Sequence, residues 1–131
     1  MVIFLDGVNL FGLPVDDMER AKEFFNKTFG WTFIPTGMEG NHHFATTVET
    51  DEDGNPIQPG GINGGLLQRG TYNQTVSSIF IKVKSIDKAI NKVKKNGGKL
   101  VFEKIPILDF AYFAQIQDTE GNLISLWEDK I

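Results

Sequence analysis

The chain contains no cysteine, which removes disulfides, thiolate nucleophiles and soft metal sites together. That absence fits a reducing compartment, and a cytoplasmic location is expected. No apolar run approaches the ~20 residues that a membrane helix needs. Met1 to Leu5 is apolar but is interrupted at Asp6, too short for a secretory core, so no membrane partner is expected. Positive charge is not in excess either. Thirteen Lys and Arg stand against seventeen Asp and Glu, a net charge of −4, which argues against a nucleic-acid partner. The lysines that do gather (Lys84, Lys88, Lys92, Lys94, Lys95, Lys99) read as the solvated face of one helix. No Ser-His-Asp spacing stands out. The glycines of 60–65 lack the Lys-Ser/Thr ending and the following helix of a phosphate loop. They read instead as close backbone approach or a bend in a strand. Asp51-Glu52-Asp53-Gly54-Asn55 lacks the later Glu of a calcium loop.

What the chain does contain is an internal repeat. Val15 to Ala21 lines up with Val83 to Ala89 at an offset of 68, and the register carries on to Phe25 over Val93 and Gly30 over Gly98. Asp51 to Asn55 lines up with Asp118 to Asn122 at an offset of 67. With 131 residues, 40% apolar content and eleven Phe, the chain is one ordinary packed domain, 1–131. Module one covers about 8–69 and module two about 76–131.

Asn9 to Val15 reads as a strand. Asp16 or Asp17 then caps a helix whose stripe is Met18, Ala21, Phe25 and Phe29 and which stops at Gly30. Trp31 to Thr36, His43 to Thr50 and Asn63 to Gln68 read as three further strands. In the second half Ser78 to Val83 alternates, with Ile79, Ile81 and Val83 on the buried face. Ser85 caps a helix with the stripe Ile86, Ala89, Ile90 and Val93, ended by Asn96-Gly97-Gly98. Strands follow at Lys99 to Ile105, Phe110 to Gln117 and Leu123 to Trp127. The order is βαβββ twice, an α+β fold in which two half-sheets close on each other. Module one carries about seven extra residues near Pro56 to Ile62.

Pro14-Val15-Asp16-Asp17-Met18-Glu19-Arg20-Ala21-Lys22-Glu23-Phe24-Phe25, the Phe29-Gly30-Trp31 that closes the helix, and Asp118-Thr119-Glu120-Gly121-Asn122 resemble the vicinal oxygen chelate superfamily. That group includes glyoxalase I, extradiol dioxygenases and the bleomycin and fosfomycin resistance proteins. The resemblance implies a cup-shaped mixed sheet with helices on the outer face, a homodimer, and a divalent metal held by His, Gln or Glu on the first and fourth strands of each module. Carried over residue by residue, those positions are Leu10, Gly65, Ser78 and Ser125. Leu and Gly offer no side-chain donor, and a neutral Ser hydroxyl is poor beside imidazole or carboxylate. No metal cofactor is therefore expected. A divalent ion (Zn, Ni, Mn or Fe) on His43, Glu128 and water is the alternative.

Strand parity selects the residues that line the cup. If Ile79, Ile81 and Val83 pack on the helix, then Ser78, Phe80 and Lys82 face inward. The same logic places Leu10, Gly12, Phe113, Gln115, Ser125 and Trp127 there. Such a set makes an apolar pocket with a few neutral hydrogen bonders, suited to a small, partly aromatic organic ligand. The competing view is that these aromatics only fill the space between half-sheets. His42 and His43 are adjacent, so at most one faces the cup. His43 is the candidate general base. Three functions stay open: metal-independent ligand binding, a lyase or isomerase related to glyoxalase, and sequestration resembling that of the bleomycin resistance proteins.

Overall fold

The computed structural model describes residues 5–130. Among them run β1 (Val8–Val15), α1 (Met18–Phe29), β2 (Thr32–Pro35), β3 (His43–Thr46) and β4 (Asn63–Gln68), then a 3-10 turn (Thr71–Asn73). The second half holds β5 (Ser78–Lys82), α2 (Ile86–Lys95), β6 (Lys99–Ile107), β7 (Ala111–Gln117) and β8 (Leu123–Asp129). This is the α+β order expected, βαβββ written twice. The chain divides into two compact units, Leu10–Ser77 and Ser78 onward, the latter joined by the residues up to Asn9. The segment after Gly70 thus belongs to module one. Residues 5–9 belong to module two, where the Gly7 carbonyl accepts a 2.9 Å hydrogen bond from Lys82 N.

Module one orders its strands β2-β3-β4-β1. β1 and β4 are parallel, with Gly12 opposite Gly65 and Leu13 opposite Leu66, and the other pairs are antiparallel. The Asp17 carboxylate accepts from Arg20 N at 3.0 Å and so starts α1. Gly30, at φ 78, ends it by turning the chain left-handed while its N–H reaches the Asn26 carbonyl. Met18, Ala21 and Phe25 pack on Leu13, Val15, Phe33 and Leu66. Phe29, expected in that stripe, is instead 63% exposed. Phe25 stacks on Trp31 with ring centroids 4.7 Å apart and planes 8° apart, and Phe11 lies 5.4 Å from the same indole. The helix-covered side of module one is therefore aromatic.

β3 is shorter than the expected 43–50. Beyond Thr46 the Asn63 side chain takes over, its Oδ1 accepting from Thr47 N at 2.9 Å, and Thr47 Oγ1 donates to the Ile62 carbonyl. Thr50 makes only an isolated bridge to Pro56.

Module two orders its strands β5-β8-β7-β6, with β5 parallel to β8 and the others antiparallel. Ser85 Oγ accepts from Lys88 N, and the Glu128 carboxylate accepts from Ile86 N at 2.7 Å, so two side chains satisfy the start of α2. The helix lays Ile86, Ala89, Ile90 and Val93 on Ile81, Val83, Leu100, Tyr112, Ala114, Ile116, Ile124 and Leu126, a mainly aliphatic cluster. Ile79, expected with them, is 38% exposed and outside that cluster.

The two Asp-rich segments are twin turns. Asp51 Oδ1 accepts from Asp53 N and Asn55 N, as Asp118 Oδ1 does from Glu120 N and Asn122 N. Each closes with a backbone bond from the Asp to the Asn carbonyl four residues on.

Candidate functional site

Each helix covers one side of its half-sheet, and the opposite sides differ in chemistry. In module two, strand register puts Phe102, Gln115, Ser125 and Phe80 in one row across β6, β7, β8 and β5. The next row is Ile105, Phe113, Trp127 and Lys82. Residues one position away, Ile81, Ala114 and Leu126, lie in the cluster under α2, so both rows occupy the helix-free side. Phe113 is 6.1 Å from Phe80 and 5.8 Å from Phe102, ring to ring. Trp127 is 6.3 Å from Phe80 and 5.8 Å from Phe110.

Gln115 and Ser125 are fully buried among these rings. Ser125 Oγ has no hydrogen-bond partner, and a buried hydroxyl left that way costs stability. At the edge of the same face, Trp127 Nε1 donates to Asp129 at 2.8 Å, and Lys82 Nζ pairs with that carboxylate at 2.6 Å. Ser78, Phe80, Phe113, Gln115, Ser125 and Trp127 thus all sit on module two, and register gathers the last five. Phe102 and Phe110 join them, unforeseen from the sequence. β6 shifts register on either side of Phe102, so simple alternation fails there and gives no sign of which way that ring points.

In module one, Leu10, Gly12, Gly65 and Leu67 share the helix-free side of β1 and β4, since Leu13, Val15 and Leu66 lie under α1. The histidines separate as alternation requires. His43 is opposite Leu66, buried on the helix side, with Nδ1 donating to the Asn41 carbonyl at 2.9 Å and Nε2 facing Lys22 Nζ at 3.4 Å. The imidazole on the side of Gly12 and Gly65 is His42. A Cβ at position 65 would come within 2.6 Å of its Nε2, so the ring lies where Gly65 has no side chain. A Cβ at Gly64 would meet the Phe11 ring at 2.5 Å on the other side. Burial, then the neighbouring His43, pushes the His42 pKa from 6.5 down to about 4.

The positions at which the resemblance implies metal ligands are Leu10 and Gly65 in one module, Ser78 and Ser125 in the other. Their own side chains offer two hydroxyls and no imidazole or carboxylate, and the His42 ring over Gly65 adds a single imidazole, a set that does not fit a divalent ion. Among the described residues no three His, Asp or Glu side chains come together as a metal cluster. The alternative pair is committed elsewhere: His43 faces Lys22, and Glu128 caps α2.

The chain belongs to the Glyoxalase/Bleomycin resistance protein/Dioxygenase superfamily, whose family model matches residues 7–126. A glyoxylase-like domain-containing protein of Didymella fabae is 29% identical, with 84% of each chain covered. A relative from Mycobacterium bovis is 25% identical over 92% of this chain, which spans only 44% of that longer protein. Among solved structures, methylmalonyl-CoA epimerase from Mycobacterium tuberculosis superposes with a TM-score of 0.66 at 16% identity, covering 93% of this chain and 87% of its own. At that identity the likeness is one of fold.

Proposed function

We propose that the helix-free face of module two binds a small, partly aromatic organic molecule without a metal ion. The observation that supports this most is Ser125 Oγ, buried and unpartnered amid Phe80, Phe113 and Trp127. A ligand that hydrogen-bonds there offsets a desolvation cost the folded protein already carries. The rings supply contact area, and Gln115 and Ser125 orient the ligand.

Binding is favoured over a lyase or isomerase reaction by the chemistry of this face. Its two rows hold one titratable side chain, Lys82, and that is paired with Asp129. A proton-transfer reaction needs a group poised near neutrality beside the reacting atom, and Phe, Gln, Ser and Trp provide none. This reading is closer to ligand sequestration than to turnover.

Benzamide is a suitable probe, a neutral ring with an amide that can both donate and accept. In a Trp31→Phe background, Trp127 is the sole indole. Its fluorescence should change saturably as benzamide is added in the presence of a chelator. Ser125→Ala should weaken the titration about fivefold to tenfold, the worth of one buried hydrogen bond. No response from Trp127, or a response that needs added Zn²⁺, counts against the proposal.

A further inference from the structure

We infer that His42 is a recognition residue on the helix-free face of module one, its Nε2 accepting a hydrogen bond from a neutral, hydroxyl-bearing aromatic molecule. The inference stands on the imidazole's own contacts and goes beyond the aromatic face of module two. Thr36 Oγ1 lies 2.9 Å from His42 Nδ1 and 3.2 Å from the His42 carbonyl, and accepts from Met38 N at 3.3 Å. The His42 carbonyl accepts from Thr36 N at 3.0 Å and also from the Thr36 hydroxyl, which commits the one hydroxyl proton to that carbonyl. Nδ1–H must then donate to Oγ1. That chain uses every contact at once. The proton therefore sits on Nδ1, and Nε2 carries a bare lone pair.

The surroundings set what this lone pair can take. The ring lies over Gly65, whose register partners are Phe44 on β3 and Gly12 on β1, so these register neighbours offer apolar surface. The Lys22 ammonium lies on the other side of the sheet, paired with Glu19 at 3.0 Å and facing His43 at 3.4 Å. A neutral acceptor without a nearby cation discriminates against carboxylates and phosphates, which bring lone pairs of their own, and favours an O–H donor. Its low pKa keeps the ring unprotonated at neutral pH, so it binds the hydroxyl without removing the proton.

Phenol, anisole and benzoate form the test set, read by ¹⁵N resonances of the histidine rings in the full chain. The free protein should show His42 neutral with its proton on Nδ1. Phenol should move the Nε2 resonance and bind about tenfold more tightly than anisole, as expected for one hydrogen bond. Benzoate should leave that resonance in place. His42→Phe keeps a ring over Gly65 and should abolish the preference for phenol. If that variant does not fold, the unaltered protein still decides the matter. A proton on Nε2, an unmoved Nε2 resonance, or equal binding of phenol and anisole overturns the inference. Because the module-two reading is followed separately through Trp127, either can fail while the other stands.

Discussion

The two modules share a plan and invert its chemistry. Module one places its rings on the helix side, where Phe11, Phe25 and Trp31 gather under and beside α1, and floors its other side with Gly12 and Gly65. Module two places mainly aliphatic residues, with Tyr112, under α2 and gathers Phe80, Phe102, Phe113 and Trp127 on the helix-free side. The pairs Gly12–Gly65 and Phe80–Ser125 occupy equivalent register positions in the two copies. One duplicated scaffold has thus produced one face with two glycines at its centre and, at the equivalent positions of the other, a phenylalanine and a serine. The comparison teaches that register, once fixed by the helix-side core, leaves the opposite side free to vary.

The largest effects should come from that shared core. Leu66 on β4 and Leu126 on β8 are both buried at matching positions, one under each helix. Leu66→Ala and Leu126→Ala should each lower stability by about 2–5 kcal/mol, measured by urea denaturation. Nearly equal losses would support equivalent roles. A large loss in one copy alone would break the comparison.

Next comes pH. His42 has its pKa lowered from 6.5 to about 4, whereas the equivalent row of module two holds no histidine. Above about pH 6.5 neither folded nor unfolded chain is protonated at His42, and its contribution is complete. As pH falls from there toward 4, the unfolded chain takes a proton that the folded chain refuses, so stability is lost. The loss should total about 3 kcal/mol relative to His42→Phe, and each unit of pH is worth about 1.4 kcal/mol. Parallel pH–stability curves for the two proteins would remove His42 from the account.

Much of this was legible in the sequence, for physical reasons. Asp17, Gly30 and Ser85 announced their helix ends because capping is local chemistry, written in one or two residues. The parity of β5, β7 and β8 followed from clean alternation, which put Phe80, Phe113, Gln115, Ser125 and Trp127 on one side. The histidines were not legible. Phe44, apolar enough for a core, lies on the helix-free side with His42, so hydrophobicity gave no sign of which imidazole faced the helix. Nor were Phe102 and Ile105, whose strand is bulged between them. The early end of β3 depends on Asn63, sixteen residues away, reaching the backbone of Thr47, a contact no local pattern encodes.

A smaller effect sharpens the contrast at Ser125. Its hydroxyl is buried without a partner, so Ser125→Ala should leave stability unchanged or raise it by about 1 kcal/mol in the ligand-free protein. A loss of more than that on denaturation would mean the hydroxyl is satisfied, and the case for a ligand there would weaken.

The most direct test is to map where benzamide lands on the metal-free protein, by amide and side-chain chemical-shift changes in the presence of a chelator. The account predicts that the perturbed residues are Phe80, Phe113, Gln115, Ser125 and Trp127, with a saturable dependence on concentration. Shifts confined to other surfaces, or none until a divalent ion is supplied, would contradict it.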